Sequence, residues 1–233
     1  MKNASIQNGV LPKHDLSHVE AFLFDLDDVL YPHGAFLSYD MFWETLNAYA
    51  AEQNGLSVEE ATAITDRMRA DGGHKDILKE WAVYGAFDFK GFTNRLDAVE
   101  LANRMQPCGH TLRLLQGLKG RRIVFTNSHT THAQRILAHL QLAEVFDHVS
   151  DYLTRGERLK PEPAVYHDLV KELSVDPSRC VMVEDTVANL APAHAMGMTT
   201  VLIHPQPKPE ARSAAYVDRW HTSLTDWLES VEQ

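Results

Sequence analysis

Two hydrophobic patterns alternate along this chain. In "VEAFLF" (19–24), "RRIVFT" (121–126), "RCVMVE" (179–184) and "TTVLI" (199–203) the apolar residues stand side by side instead of at every second position. Such runs predict strands buried on both faces, the arrangement of a parallel sheet. "HVSDY" (148–152) predicts a shorter strand. The intervening segments follow the helical period. Tyr39, Phe42, Trp43, Leu46 and Tyr49 line one face of a helix from Ser38 to about Ala51. Ser57 and Glu60 form a capping box that opens a second helix, reaching to about Ala70. "DGGHKD" (71–76) breaks the pattern, Ile77, Leu78 and Trp81 predict a third helix, and residues 90–104 a fourth.

After Pro107 the pattern changes. "HTLRLLQGLKG", "THAQRILAHLQL" and "PAVYHDLVKELSV" are helical segments placed between the strands, the last opened by Pro163. In "NLAPAHAMG" Pro192 predicts a helix that is short or starts late, since an interior proline costs about 3 kcal/mol. The first strand alone precedes the helical block, so that block reads as an insertion. The predicted fold is α/β: a doubly wound parallel sheet, a Rossmann-like core made of residues 1–34 and 108–233, with an inserted all-helical cap at 35–107. Residues 1–17 read as a loose tail. Trp43, Trp81 and the Tyr39/Phe42 stripe read as cap core, and Trp220 and Trp227 as packing on the sheet domain.

Charge narrows the partners. Twenty-two basic side chains face 32 acidic ones, a formal charge of -10, and no Lys/Arg-rich run occurs. Extended nucleic-acid or anionic-membrane binding is thereby disfavoured, while one pocket can still take a small anion. No stretch approaches the roughly 20 apolar residues of a membrane span, and the N-terminal residues lack a signal-peptide core. Together these predict a cytoplasmic protein, with Cys108 and Cys180 as buried free thiols. Nothing in the pattern indicates an oligomeric state.

The chemistry gathers at the strand ends, where doubly wound sheets bind their ligands. "FLFDLDDVLYP" runs from an apolar strand into Asp25, Asp27 and Asp28; "RRIVFTN" ends in Thr126 and Asn127; "RCVMVED" ends in Glu184 and Asp185; "RLKPEP" presents Lys160 at the start of a helix. Converging carboxylates repel one another unless a cation compensates. Oxygen ligands without His or Cys suit Mg²⁺ better than zinc.

"DLDDV", Thr126 after an apolar strand, Lys160-Pro161 and "VEDTVANL" resemble, in this order, the four motifs of the haloacid dehalogenase superfamily. "LDDVLYP", "FTNSHTTHAQRIL" and "VEDTVANLAPAHAMGMTTV" resemble its pyrimidine 5'-nucleotidase subgroup. The resemblance implies a Mg²⁺-dependent phosphatase acting on a small phosphomonoester, with a pyrimidine nucleoside monophosphate as first substrate. Phosphoglycolate or sugar-phosphate hydrolysis and phosphomutase chemistry are the alternatives, with a haloacid dehalogenase or a non-catalytic phosphoacceptor further behind. It implies Asp25 as nucleophile, Asp27 as acid and base, and Asp25, the Asp27 carbonyl, Asp185 and Glu184 around the metal. Thr126 and Lys160 would hold phosphoryl oxygens. Asn127 and Ser128, which adjoin Thr126, and Asn189, placed by the fourth motif, are candidates for substrate contact. Asp28 reads as a turn residue pointing away, and His129 and His132 as solvated residues in the first turn of a helix.

Overall fold

The computed structural model describes residues 16–36, 39–72 and 77–231. Most of the expected tail, the break at 73–76 and the side chain of Tyr39 lie outside the described residues. Strands β1 (Ala21–Phe24), β2 (Arg121–Phe125), β3 (His148–Ser150), β4 (Cys180–Glu184), β5 (Thr199–Ile203) and β6 (Arg219–His221) form one sheet in the order β3-β2-β1-β4-β5-β6. Every pairing is parallel. The α/β doubly wound class is therefore the one the apolar runs predict. From β1 the chain first builds outward through β2 and β3, then returns to add β4 on the other side. The point of reversal lies between β1 and β4, where such sheets open a crevice at the strand ends.

The strand period explains why these runs are apolar throughout. Phe22, Phe24, Val124, Val181, Val183 and Val201 pack on one face of the sheet, and Leu23, Ile123, Phe125, Met182 and Leu202 on the other. Successive side chains point to opposite faces, and helices cover both. Burial of each such side chain contributes about 1.5–3 kcal/mol. The covering helices are α5 (Gly109–Gly117), α6 (Thr130–His139), α7 (Pro163–Leu173), α8 (Val187–Ala195) and α10 (Leu224–Ser230), with the short α9 (Pro209–Arg212) between β5 and β6. Trp227 is buried in the first of these cores, and the Trp220 indole N–H donates to the His204 carbonyl at 2.9 Å.

Helices α1 (Tyr39–Asn54), α2 (Val58–Gly72), α3 (Ile77–Tyr84) and α4 (Phe89–Asp97) follow β1 and close a core of their own around Leu46, Ala50, Ile64, Trp81 and Phe92. Trp81 is fully buried and donates to Thr65 Oγ1 at 3.1 Å, which in turn donates to Asn47 Oδ1 at 2.7 Å. The Arg69 guanidinium covers the Trp43 ring at 4.2 Å. The capping box forms in both directions, Ser57 N–H to Glu60 at 2.8 Å and Glu60 N–H to Ser57 Oγ at 3.1 Å. The fourth helix ends at Asp97 rather than near 104. Leu101 and Met105 belong to the core against the sheet, with Val99 packed on it, so the chain must leave the cap helix to deliver them. Cys180 is buried as predicted, but Cys108 is exposed because it starts α5 at the surface.

Candidate active site

Register sets the site. Phe24 is level with Val124 and Val183, and the Asp25 N–H extends the ladder to the Val183 carbonyl at 2.9 Å. Asp25 and Glu184 thus leave adjacent strands at the same height, with Asp185 one residue beyond. On the other side Thr126 continues β2 through a bond to the Ser150 carbonyl at 3.0 Å. Lys160, just ahead of α7, reaches into the same place. Its ammonium donates to Asp25 Oδ1 at 2.8 Å, Glu184 Oε1 at 2.7 Å and the Phe125 carbonyl at 2.6 Å.

One ammonium does not balance this cluster. Burial pushes the Asp25 carboxyl up, Lys160 pulls it down, and the Glu184 and Asp27 charges push it up again, leaving it at about 7. Burial also pushes the Asp185 carboxyl well above the usual range, helped by the charges of Glu184 and Asp25. Single oxygens of Asp25, Glu184 and Asp185 lie within 4.8 Å of one another. This all-oxygen donor set fits a hard divalent cation.

Asp27 has a different environment. Oδ1 accepts from Tyr31 Oη at 2.6 Å and lies 2.8 Å from His132 Nε2, while Oδ2 accepts from Ser128 Oγ. Burial raises its pKa, but the charge and hydrogen bond of His132, with those of Ser128 and Tyr31, lower it to about 2. In His132, burial works against the charge while Asp27 and Asp97 favour it, and the imidazole is raised to about 9. The two form a partly buried ion pair, with His132 inside and Asp27 open on one side.

A family model for a haloacid dehalogenase-like hydrolase matches residues 19–197, well over half of the chain and the whole span from β1 through α8. The chain belongs to this hydrolase family. It is 28% identical over 228 residues to a glyceraldehyde 3-phosphate phosphatase of Methanocaldococcus jannaschii, covering 92% of this chain and 97% of that one. A CBBY-like protein of Arabidopsis thaliana is 51% identical over 43 residues, 18% of this chain and 14% of the relative. Short matches of this kind cover between 11% and 34% of three curated relatives' own lengths. The structure of a HAD phosphatase from Thermococcus onnurineus superposes with a TM-score of 0.61 at 20% identity, over 88% of this chain and 94% of that one. At that identity the likeness is one of fold.

Within this haloacid dehalogenase-like hydrolase, several side chains stand differently from the sequence reading. His132 is buried and faces Asp27 instead of solvent. The signal was its register: His132 and Ile136 lie four apart on the buried stripe of α6, in line with the buried Leu140 that caps its end. Asn127 spends its amide on the Lys160 loop, donating to the Lys160 carbonyl at 3.0 Å and accepting from the Lys160 N–H at 2.8 Å and from Arg155 at 3.0 Å. It holds the loop, and those bonds use one of its two amide hydrogens. Asn189 donates to Glu184 Oε1 at 2.7 Å and stands behind that carboxylate. Thr126 is buried and accepts from the Ser128 N–H at 3.0 Å, leaving its hydroxyl hydrogen to donate. All three Lys160 hydrogens are committed, so its part is to fix Asp25 and offset charge; contact with a phosphoryl oxygen would require it to release a partner. Asp28 is a turn residue, at φ 61° with Oδ1 accepting from the Gly34 N–H at 2.8 Å. Yet it does not point away: its carboxylate groups with His33 and Asp185 at the rim. His129 caps α6, its ring accepting from the Thr131 N–H.

Proposed function

We propose that this hydrolase removes phosphate from a small phosphorylated metabolite, with Asp25 as nucleophile and Asp27 as acid and base. The observation that carries the reading is the contrast between two carboxylates two residues apart. Asp25 is fixed through one oxygen by a buried ammonium, beside two further carboxylates. Asp27 is held by three donors around a separate ion pair. Paired carboxylates in unlike environments are how one site divides nucleophilic from proton-transfer work.

In the first step a carboxylate oxygen of Asp25 bonds to phosphorus, the bond to the substrate alcohol breaks, and Asp27 gives its proton to the departing oxygen. In the second, Asp27 takes a proton from water as that water attacks the aspartyl-phosphate, freeing inorganic phosphate and Asp25. Asp27 is ionised at rest, the form the second step needs; it must take up a proton before the alcohol leaves. Asp25, Asp185, the Asp27 carbonyl and Glu184 are the groups that would hold Mg²⁺. When bound, Mg²⁺ supplies positive charge that neutralises the phosphoryl oxygens and the clustered carboxylates. Thr126 offers its hydroxyl hydrogen to a phosphoryl oxygen. A general acid alone supplies about 10²–10⁴ of an acceleration that for phosphate monoesters approaches about 10²¹. The fixed nucleophile and the concentrated positive charge therefore have to do most of the work.

A pyrimidine nucleoside 5'-monophosphate is the first substrate proposed, on the motif resemblance. The name of the Methanocaldococcus relative favours a phosphorylated small sugar as the second. A haloacid dehalogenase is disfavoured by Asp27 and its donors, which that chemistry does not need. Phosphate release from UMP, CMP, glyceraldehyde 3-phosphate, phosphoglycolate and hexose phosphates, assayed with Mg²⁺, tests the reading. Release from at least one of them, abolished by Asp25→Asn, is the expected result. Undiminished turnover in Asp25→Asn would reject the covalent route.

A further inference from the structure

The buried imidazole of His132 faces two parts of the molecule. Its Nε2 lies 2.8 Å from Asp27 Oδ1, and its Nδ1 lies 3.6 Å from Oδ1 of Asp97, the last residue of α4. Arg135, one turn further along α6, brings Nη1 to 3.8 Å from the same Asp97 oxygen and donates through Nη2 to the Val99 carbonyl. The Phe36 ring covers the imidazole at 4.8 Å between centroids. His132 Nδ1, Asp97 Oδ1 and Arg135 Nη1 are all buried and make no hydrogen bond. Of these three facing polar atoms one is an acceptor and two can donate, and the donors stand at 3.6 and 3.8 Å, about half an ångström beyond the hydrogen-bond range. Leaving such atoms unsatisfied is costly, so an arrangement that closes the gap is favoured.

The location gives that gap a meaning. Asp97 ends a helix whose Phe92 belongs to the cap core, and Leu101, four residues later, belongs to the core against the sheet. The chain passes from cap to sheet domain at this junction. We propose that His132 is the positioning residue of Asp27, and that Asp97 and Arg135 set His132 according to where the cap stands. A small inward shift of the end of α4 would complete both contacts to Asp97, lock the imidazole and thereby the Asp27 carboxylate. The acid/base group is then fully oriented only with the cap in place. This rests on the reading of Asp27 as acid and base.

The test uses the full chain with Mg²⁺ and compares kcat/KM, which reports steps up to alcohol release, for two esters. The leaving group of 4-nitrophenyl phosphate departs without a proton, whereas that of glycerol 2-phosphate needs one. His132→Leu is expected to lower the glycerol-to-nitrophenyl ratio about 10–100-fold, a part of what a positioned acid supplies. His132→Asn, whose amide takes the place of Nδ1 and leaves Asp27 without its donor, should do the same if the leucine variant does not fold. His132→Gln, whose amide reaches the place of Nε2, should restore most of the ratio. Asp97→Ala should lower it about 3–10-fold, with no further loss when combined with His132→Leu, because coupled residues are not additive.

An unchanged ratio in the His132→Leu and His132→Asn variants, or an Asp97→Ala loss that adds in full, overturns the proposal. Asp27→Asn separates the two layers. If it leaves the ratio unchanged, the acid/base role of Asp27 fails and the role of His132 falls with it. If it lowers the ratio while the His132 variants do not, only the role of His132 fails.

Discussion

Lys160 Nζ stands 2.8 Å from Asp25 Oδ1 and 2.7 Å from Glu184 Oε1, with 1% of its side chain exposed. Neither carboxylate has another cation this near among the described residues, so the ammonium is the one positive charge set against both, and it offsets the cluster only in part. Lys160→Met should therefore act on stability as well as on turnover. Removing one partner of a buried pair costs about 3–5 kcal/mol. The cost must depend on pH. Without the ammonium, Asp25 moves further above about 7, against 3.8 for an ordinary aspartate. A carboxyl raised in the folded state favours folding less as pH rises from its unfolded value to its folded one. Urea denaturation in chelator should show a small gap between variant and unaltered protein at pH 5 and a wide one at pH 8. Equal gaps would mean that the lysine acts by packing alone.

The ion pair of His132 and Asp27 has the opposite dependence. The imidazole is raised from 6.5 to about 9, so its contribution is complete below pH 6.5 and disappears as pH rises through 9. The carboxyl is lowered from 3.8 to about 2, so the same pair is also lost as pH falls from 3.8 through 2. Asp27 keeps 34% of its side chain exposed, and solvent screening reduces the value of the pair. About 2 kcal/mol is expected between pH 4 and 6.5. Denaturation of the unaltered protein and of His132→Leu across pH 4–9.5 should show a difference of this size that closes above pH 9. A difference constant across that range would assign the effect to lost packing.

The sheet was legible because each strand carries its burial on both faces, so Phe22 and Leu23 can be adjacent and both apolar. The acids at the strand ends were legible for the complementary reason: nothing in a parallel sheet asks for Asp25, Glu184 and Asp185 where apolar runs stop. A histidine near a helix start is usually solvated, and the four-residue spacing of His132 to Ile136 is the one sign in the sequence that it faces inward. Asn127 and Asn189 look like substrate contacts in a linear motif. Which way the Asn127 amide faces depends on partners distant in sequence, Lys160 and Arg155, whereas Asn189 turns back across a helix start to Glu184, five residues before it. The end of the fourth helix at Asp97 was similarly hidden, since residues 98–104 keep helical composition while their apolar side chains serve another core. The contact of Asp97 with His132 follows from that boundary.

Asp185 gives the clearest separation of binding from folding. Its carboxyl is pushed well above the usual range by burial and by the charges of Glu184 and Asp25, so its charged form costs folding energy in the absence of a cation. Asp185→Asn removes that charge. In chelator at pH 7 the variant should be as stable as the unaltered protein or more so. If Mg²⁺ binds among Asp25, Glu184 and Asp185, adding it at about 100 times its dissociation constant stabilises the unaltered protein by about 2.7 kcal/mol. For a chain of this length that corresponds to a rise of about 5–10 °C in Tm. Asp185→Asn should lose most of that rise together with most turnover. The two effects have opposite signs, which misfolding of the variant cannot produce, since misfolding lowers Tm under both conditions. A Mg²⁺-dependent rise in Tm that survives in Asp185→Asn would place the cation elsewhere. A variant less stable in chelator would mean that Asp185 is held by contacts rather than opposed by neighbouring charge.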